Sequence, residues 1–212
     1  MILIGQYDSP FVRRVGVALT LYGMAFEHRP WSVWADAEAL GRFNPLRRVP
    51  TLVLDSGEVL IESSAILDAL DEMVGPTRAM LPRLGQARRR ALKLCALASG
   101  LADKAISLFY EGVLHAPPSE IWIQRCEAQI RAVLDALEAD RAGSESDWWL
   151  GAATGHADIM AGCALNFVRE AHGDLFDAAR WPILAAHSAR CEALPAFQAI
   201  HQPIFVALPA DA

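Results

Sequence analysis

The stretch NPLRRVPTLVLDSGEVLIESSAIL, residues 44–67, places two short apolar runs and a helix start in close succession. The runs at 51–54 and 59–61 flank the tetrapeptide DSGE, whose Gly57 tolerates a positive φ, and this pattern predicts a β-hairpin. Residues 64–73 follow with apolar side chains at helical spacing. This part of the sequence therefore predicts the end of a small sheet, followed by a helix.

The residues before this stretch alternate short strands and helices. Residues 2–4 form an apolar run, 10–22 carry apolar side chains at helical spacing, 26–29 alternate with a period of two, and 36–42 form a weak helical pattern. The order β-α-β-α-β-β-α predicts an α/β domain whose mixed sheet is parallel at first and ends in an antiparallel hairpin. We place this domain at residues 1–76.

Beyond residue 85 only helical patterns remain. Gly75-Pro76 and Leu81-Pro82 punctuate a connector of about ten residues, which is typical of an inter-domain linker. The helical segments are a long stretch at 86–113, a helix from Ser119 to about residue 142, an apolar helix at 158–171 and a helix that starts at Trp181-Pro182. The sequence therefore predicts an all-α bundle over 86–206.

The composition excludes several functional classes. The chain has 212 residues and a net charge of -6, and it lacks the basic face that nucleic-acid binders need. No window is apolar for long enough to span a bilayer, and the first residues lack the features of a signal peptide. The GxGxxG and P-loop motifs are absent, as is any metal-ligand spacing, so we expect no metal and no nicotinamide cofactor.

The four cysteines are far apart in the sequence and form no CxxC pair. They are Cys95, Cys126, Cys163 and Cys191. All four lie in helical patterns among alanines and leucines. We interpret them as small buried side chains in a reducing cytosol, and we therefore expect a cytoplasmic location.

A first candidate for chemistry lies where the first strand meets the first helix. Ser9 followed by Pro10 indicates a helix start, with serine as the N-cap and proline at the first helical position. A helix N-terminus at the end of a strand favours an anion, and a hydroxyl there can donate a hydrogen bond to a thiolate. From these two residues alone, a helix cap is the simpler interpretation.

A second candidate is the bond between Val49 and Pro50. Proline has no hydrogen-bond donor for a strand ladder, and it therefore belongs at the first residue of a strand. If the bond is cis, it turns the backbone N–H and C=O of Val49 outward, where an extended peptide can pair with them. An ordinary trans proline is the alternative, because only about 5–6% of X-Pro bonds in folded proteins are cis.

A third candidate is the sequence Glu62-Ser63-Ser64, between the last strand and the next helix. We expect Ser63 or Ser64 to be the N-cap. The helix N-terminus can accept a carboxylate while Glu62 takes an ammonium group, and an amino-acid head group carries both charges on one carbon. The alternative is a cap beside an exposed glutamate.

Taken in order, these motifs resemble the glutathione transferase family. The matching stretches are SPFVRRV at 9–15, NPLRRVPTL at 44–52, LIESSAIL at 60–67 and WWLGAATGHADIMAGCAL at 148–165. The last of them resembles the family's aromatic-Leu-Gly segment and its helix with an early aspartate, here Asp158. The resemblance covers nearly the whole chain and implies a thioredoxin-like, glutathione-binding domain at 1–76, a helical domain at 86–206 and a homodimer.

The resemblance also implies which residues hold glutathione. Val49 is expected to pair its backbone with the cysteinyl part, through a cis bond to Pro50. Glu62 and Ser63 are expected to hold the γ-glutamyl head, and Arg48 to lie near the glycyl carboxylate.

By the same resemblance, Ser9 takes the position that faces the sulfur, in an S-P-F context where one branch of the family has C-P-F. A serine cannot form a mixed disulfide, so thiol transfer through this residue is disfavoured. Other branches use a tyrosine near this strand end, and Tyr7 therefore stays open as the alternative. Phe11, Tyr110 and His115 are expected to line the pocket for the second substrate.

The activity implied is that of a glutathione transferase, with glutathione as co-substrate and no further cofactor. The enzyme would hold glutathione as the thiolate for attack on small hydrophobic electrophiles, a role in detoxification. The alternative is a non-catalytic relative that serves protein contact or ligand binding. Arg88-Arg89-Arg90 is expected to contribute charge to the dimer contact, and we expect neither nucleic acid nor a membrane as a partner.

Overall fold

The computed structural model describes residues 1–206, which belong to two compact units. The first unit consists of Met1–Leu81 and the segment that begins at Pro195, and the second is Pro82–Leu194. Within residues 1–206, no helix is both long enough and apolar enough to cross a membrane.

The segment from Pro195 belongs to the first unit, whereas the sequence placed it in the helical domain at 86–206. The difference has a physical cause in Arg13, which is buried. Its Nε donates a hydrogen bond to the backbone oxygen of Ile200 at 2.8 Å, and its Nη2 donates to that of Phe197 at 3.2 Å. A helical pattern in the sequence does not indicate which unit such a short segment joins.

Four short strands form the sheet of the first unit: β1 (Ile2–Ile4), β2 (Glu27–Arg29), β3 (Thr51–Val53) and β4 (Val59–Ile61). Their order across the sheet is β2-β1-β3-β4. β1 and β2 are parallel, with Leu3 opposite His28, and β3 is antiparallel to both β1 and β4. The predicted mixed sheet, which ends in an antiparallel hairpin, is confirmed.

Three helices of the first unit precede the linker: α1 (Pro10–Tyr22), α2 (Ala37–Gly41) and α3 (Ser63–Val74). α1 and α3 pack against each other and, with the sheet, enclose the apolar core. Fully buried members of this core include Leu3, Val15, Leu19, Leu52, Ile66 and Leu70. α1 ends at Gly23, whose φ of 66° is a left-handed conformation that glycine adopts at low cost.

The second unit is helical, as the sequence predicts. It contains α4 (Gly85–Leu114), α5 (Glu120–Ala142), α6 (His156–Ala171) and α7 (Pro182–Glu192), and the short α8 (Pro195–Ala199) follows in the first unit. α6 is buried along most of its length and packs against α4 and α7, so it is the central helix. Ser119 starts α5 as its N-cap, since its Oγ accepts a hydrogen bond from the backbone N–H of Trp122.

Asp158 fixes the start of α6. Its carboxylate is fully buried and accepts hydrogen bonds from the backbone N–H groups of Trp149 and Gly155, both at 2.9 Å. Gly155 is the N-cap and has no side chain that could satisfy the first N–H groups of the helix. The Asp158 carboxylate therefore ties the preceding loop to α6.

All four cysteines are free thiols. Cys126, Cys163 and Cys191 are buried, and Cys95 is partly buried. Burial raises the pKa of the Cys126 and Cys191 thiols, which keeps them protonated and poorly reactive at neutral pH. This burial agrees with their interpretation as small core side chains.

Candidate functional site

β1 is followed by Gly5. The candidate segment at Ser9 and the candidate segment at Val49 lie next to each other at this glycine. Gly5 has a φ of 129°, and a Cβ atom on it would lie 2.6 Å from Cγ2 of Val12 and 2.7 Å from Cβ of Val49. These distances leave no room for a side chain, so the close approach requires glycine. The first turn of α1 and the turn at Val49 therefore lie side by side.

Ser9 is the N-cap of α1, as the sequence predicts. Its Oγ accepts a hydrogen bond from the backbone N–H of Val12 at 3.5 Å, and Pro10 is the first helical residue. The first turn contains no acidic side chain that would offset the positive end of the helix dipole. Because the hydroxyl oxygen is the acceptor in the cap, its hydrogen can be donated to an anion at this helix N-terminus.

The Val49–Pro50 peptide bond is cis, which confirms the prediction. Among residues 1–206, the backbone N–H and C=O of Val49 have no hydrogen-bond partner. The turn is held by Asn44, which is buried and whose side-chain amide donates to the backbone oxygen of Arg48 at 2.8 Å and to Oγ1 of Thr51 at 3.2 Å. Asn44 thus fixes a turn whose Val49 backbone can pair with a peptide ligand.

The start of α3 differs from the prediction. Glu62, with a φ of 66°, is the N-cap and makes no side-chain cap, so the expectation that Ser63 or Ser64 caps this helix is wrong. Ser63 is the first helical residue, and its Oγ accepts a hydrogen bond from Nη2 of Arg14 at 2.5 Å. The first N–H groups of α3 thus have no side-chain cap, and they can receive an anionic ligand.

Arg14 is a site residue that the sequence analysis missed. Its side chain is only 3% exposed, and its guanidinium carbon lies 5.8 Å from the centre of the Phe11 ring. A buried cation beside the start of α3 strengthens the attraction of that helix N-terminus for a carboxylate, because buried charges are screened less than exposed ones. The sequence offers one signal, an Arg13-Arg14 pair among apolar residues, but arginines in such patterns usually carry their charge to the solvent.

Arg48 and Glu62 lie at the exposed rim of this region. Nη1 of Arg48 is 3.9 Å from Oε1 of Glu62, and the two side chains are 62% and 56% exposed. An exposed pair at this distance contributes little to stability. Both side chains are therefore accessible to the charged groups of a ligand.

Tyr7, the alternative to Ser9, is packed between β2 and α1. Its ring stacks on that of His28 with the centroids 3.7 Å apart, and a Cβ atom on Gly16 would lie 3.2 Å from its Cε1. Burial raises the pKa of Tyr7 to about 12, so its phenol stays protonated at neutral pH. These contacts hold the Tyr7 ring against the sheet. Ser9, in contrast, is the N-cap residue of α1 and lies at the helix N-terminus.

The residues expected to line a second-substrate pocket lie in both units. Phe11 is in the first turn of α1, Tyr110 is near the end of α4, and His115 is the C-cap of α4. Nδ1 of His115 lies 2.9 Å from Oε2 of Glu111, whose other oxygen accepts a hydrogen bond from the backbone N–H of Ser119 at 2.6 Å. That backbone hydrogen bond lowers the pKa of Glu111. A common pocket of Phe11, Tyr110 and His115 stays a prediction.

In the first unit, these features offer groups that can bind a small charged peptide. The Val49 backbone can pair with an extended ligand, the start of α3 beside Arg14 can hold a carboxylate, and the start of α1 at Ser9 can hold a second anion. No group of His, Cys, Asp and Glu side chains within residues 1–206 is arranged to hold a metal ion. The two helix N-termini are the features that can stabilise an anion on a bound peptide.

Comparison with known proteins identifies the family. The family model for the N-terminal domain of glutathione S-transferase matches residues 8–73, and the model for its C-terminal domain matches residues 120–190. The uncharacterized GST-like protein YibF of Escherichia coli (strain K12) is 35% identical over 178 residues, which are 82% of this chain and 86% of that protein. The chain belongs to the glutathione S-transferase family.

Other proteins of the glutathione S-transferase family are similar along nearly the whole chain. The maleylacetoacetate isomerase of Pseudomonas aeruginosa is 30% identical over 211 residues, 95% of each chain. The crystal structure of a glutathione S-transferase from Methylobacterium radiotolerans, in complex with glutathione sulfonate, is 30% identical and superposes with a TM-score of 0.88, over 98% of this chain and 99% of that chain. The sheet unit is therefore the thioredoxin-like domain of the family, and the helical unit is its α-helical domain, as the sequence predicts.

Proposed function

We propose that this glutathione S-transferase family member binds glutathione in its first unit, holds the thiol as a thiolate and transfers it to small hydrophobic electrophiles. One observation carries the proposal: the N-termini of α1 and α3 lie in one unit with the turn at Val49 and are joined by the Arg14–Ser63 hydrogen bond. Glutathione has a carboxylate, a thiol and a peptide backbone that match these three features.

In this proposal the γ-glutamyl head of glutathione lies at the start of α3. Its carboxylate accepts hydrogen bonds from the first N–H groups of the helix, beside the buried charge of Arg14 and the hydroxyl of Ser63. The exposed carboxylate of Glu62 takes the ammonium group. The Val49 backbone pairs with the cysteinyl residue, and Arg48 at the rim is available for the glycyl carboxylate.

The pairing at Val49 brings the sulfur to the start of α1. There the hydroxyl of Ser9 accepts from the Val12 N–H and donates its hydrogen to the sulfur. A free thiol has a pKa near 8.5, and lowering it by about 2 units requires roughly 2.7 kcal/mol from the site. A helix N-terminus contributes roughly 0.3–1 kcal/mol and a hydrogen bond to a charged group roughly 1.5–3 kcal/mol, so the two together contribute an energy of the required order.

The transfer step then needs only an electrophile beside the sulfur. The thiolate electron pair forms a new C–S bond. In a substitution the leaving group departs with the electron pair of its own bond, and in an addition to an activated double bond the carbanion takes up a proton from the solvent. Phe11, Tyr110 and His115 are the residues proposed to hold the hydrophobic electrophile, and proximity supplies much of the rate. No metal or nicotinamide takes part.

The test measures binding and turnover on one purified protein. Retention on immobilised glutathione, with elution by free glutathione, reports binding, and conjugation of an aryl halide across a pH series reports turnover. We expect both, with a rate that follows a group ionising well below the pKa of free glutathione. Binding without turnover would favour a ligand-binding or protein-contact module instead, and the absence of binding would reject the proposal.

Glutathione-dependent isomerisation is a second candidate, favoured by the 30% identity to a maleylacetoacetate isomerase over 95% of both chains. The same thiolate would add to a cis double bond conjugated to a carbonyl, permit rotation about the resulting single bond, and leave again. Glutathione measured before and after the reaction with such an alkene separates the candidates. Isomerisation consumes none, whereas conjugation consumes one molecule for each product formed.

A cytoplasmic homodimer with a role in detoxification is the setting we propose for this activity. Free cysteines suit a reducing compartment, and the chain contains four of them. Small hydrophobic electrophiles react with cellular nucleophiles, so their conjugation to glutathione would remove them.

A further inference from the structure

The last described residues pack along the first unit and approach the start of α1. We call residues 200–206 the C-terminal strap. Ile200 is nearly fully buried against α1 at Gly16, where a Cβ atom would lie only 2.8 Å from its Cγ2. The backbone oxygen of Ile200 accepts the hydrogen bond from Arg13. The strap is therefore anchored at its beginning.

Beyond this anchor the strap has two faces. Its residues alternate in exposure, with Gln202, Ile204 and Val206 partly buried and His201, Pro203 and Phe205 exposed. Alternation with a period of two is the pattern of an extended segment that lies with one side against the protein. The partly buried face of the strap is the one that includes Gln202.

The strap is hydrogen-bonded to both central residues of the turn that leads into Ser9. The backbone N–H of Ser9 donates to the backbone oxygen of Gln6 at 3.2 Å, so Tyr7 and Asp8 are the two central residues of that turn. The side-chain oxygen of Gln202 accepts from the N–H of Tyr7 at 3.3 Å. Oδ2 of Asp8 accepts from the backbone N–H of Phe205, in the strap, at 3.0 Å.

We propose that the C-terminal strap positions the Ser9 hydroxyl, with Gln202 as a positioning residue for thiolate formation, an inference that rests on the proposed function. The backbone angles of Tyr7 and Asp8 set the direction in which the chain reaches Ser9. A strap that binds both residues restricts those angles. The hydrogen bond from Ser9 to the sulfur then keeps its geometry, and hydrogen bonds weaken steeply when they are misaligned.

The substitution Gln202→Met tests this role. Methionine has a similar length but lacks the amide oxygen that accepts from Tyr7, so the turn loses the restraint that Gln202 provides. Gln198→Met is the matched control, because Gln198 is exposed on α8 and undergoes the same chemical change. The measurements are the ultraviolet absorbance of the bound thiolate against pH, the KM for glutathione and the melting temperature.

In Gln202→Met we expect the pKa of bound glutathione to rise by about half a unit to one unit, which lowers turnover below that pKa by about three- to tenfold. Turnover recovers at high pH, and the KM for glutathione stays within about twofold, because Val49, Ser63 and Arg14 are unchanged. A merely structural role would lower the active fraction equally at all pH values and leave the pKa of the bound thiol in place.

A second pair of variants tests the hydrogen bond between Asp8 and the backbone of Phe205. Asp8→Ala and Asp8→Asn remove the same negative charge, but only asparagine keeps an oxygen that can accept from Phe205. We therefore expect a higher pKa of bound glutathione in Asp8→Ala than in Asp8→Asn. Within residues 1–206, the other titratable or charged groups on the turn, α1, β2 and the strap are the same in both variants; they are Tyr7, Arg13, Arg14, Tyr22, Glu27, His28, Arg29 and His201.

Two outcomes would overturn the inference in different ways. If wild-type protein lowers the pKa of bound glutathione and Gln202→Met lowers it equally, the strap does not position Ser9 and the proposed function stands. If wild-type protein leaves the pKa of glutathione at its free value, thiolate formation and the role of the strap fail together.

Discussion

Nη2 of Arg14 donates a hydrogen bond to Oγ of Ser63 at 2.5 Å, and both side chains are buried. The contact joins the first half of α1 to the first residue of α3, across 49 positions of sequence. It places a cation where the N–H groups of α3 already favour an anion. The carboxylate site therefore depends on two helices rather than on one.

Arg14→Lys should weaken glutathione binding by about tenfold or more, because lysine keeps the charge but lacks the planar fork that reaches Ser63, and a hydrogen bond to a charged group contributes roughly 1.5–3 kcal/mol. Titration calorimetry with glutathione measures the effect. Arg89→Lys is the control, since Arg89 is exposed on α4. Equal affinity of Arg14→Lys and wild type would exclude Arg14 from the binding site.

Two variants of Ser9 distinguish its role as a helix cap from a role in catalysis. Ser9→Ala loses the cap, which should cost about 1 kcal/mol of stability, and it should lose turnover while glutathione affinity is largely kept. Ser9→Asp keeps a good cap but places a negative charge beside the sulfur, so it should stay folded, raise the pKa of bound glutathione and lose conjugation at neutral pH. The pH dependence of turnover and the melting temperature test both. Unchanged pH profiles in both variants would refute the catalytic role of Ser9 and leave Tyr7 or the backbone amides as the groups that face the sulfur.

Gly5→Ala should both destabilise the protein and weaken glutathione binding. The new Cβ would lie 2.6 Å from Val12 and 2.7 Å from Val49, so one of the two segments must move. Gly57→Ala is the control, because Gly57 has a φ of 87° and nothing within 4 Å of such a Cβ. That control should cost only the left-handed backbone penalty, about 1–2 kcal/mol. Chemical denaturation and glutathione titration of both variants make the comparison.

His187 makes stability depend on pH. It is fully buried, its Nδ1 accepts a hydrogen bond from Nε of Arg141 at 3.4 Å, and its Nε2 lies 3.6 Å from Oδ1 of Asp158. Burial, and then the charge of Arg141, lower the pKa of His187 to about 3. The unfolded chain binds this proton near pH 6.5 and the folded chain does not, so the free energy of unfolding falls as the pH decreases from about 6.5 to about 3.

Between pH 7 and pH 5 the loss attributable to His187 should be about 2 kcal/mol. His187→Gln should flatten this pH dependence, whereas His201→Gln, at an exposed histidine, should leave it unchanged. Burial raises the pKa of Asp158, and this shift makes the free energy of unfolding rise as the pH decreases. The test therefore compares the slope of unfolding free energy against pH between each variant and wild type. Urea denaturation at several pH values provides these slopes. Identical slopes in His187→Gln and wild type would contradict the prediction.

The chain is predicted to be a homodimer whose interface joins the first unit of one subunit to the helical unit of the other. In the Arg88-Arg89-Arg90 run, Arg90 pairs with Asp140 at 2.8 Å, while Arg89 is exposed and makes no ion pair within residues 1–206. Arg89→Glu should therefore weaken the dimer, most clearly at low salt, where charges are screened least. Sedimentation at micromolar concentration measures this, and a wild-type monomer would refute the prediction.

Features that depend on local chemistry were predictable from the sequence. The Ser9-Pro10 helix start, the hairpin around Gly57 and the Ser119 cap follow from the preferences of neighbouring residues, and the structure shows each of them. The cis bond at Val49 was predictable only from the resemblance, because most X-Pro bonds are trans.

Features that depend on tertiary contacts were not predictable. The sequence shows two serines after Glu62, and cap preferences favour them, but the structure makes Glu62 the N-cap and uses Ser63 to meet Arg14. No short-range rule pairs residues so far apart. Gln202 and Tyr7, which form a hydrogen bond, are 195 positions apart in the sequence, so this contact was not predictable either.

The packing of the last residues against α1 has a consequence for synthesis. Translation releases residues 1–81 before the helical unit, but Phe197 and Ile200 leave the ribosome only after that unit. Until then, two of the hydrogen bonds that Arg13 makes in the finished protein have no acceptor to reach. The helical unit, whose residues are contiguous in the chain, can complete its own contacts before the unit that was started first.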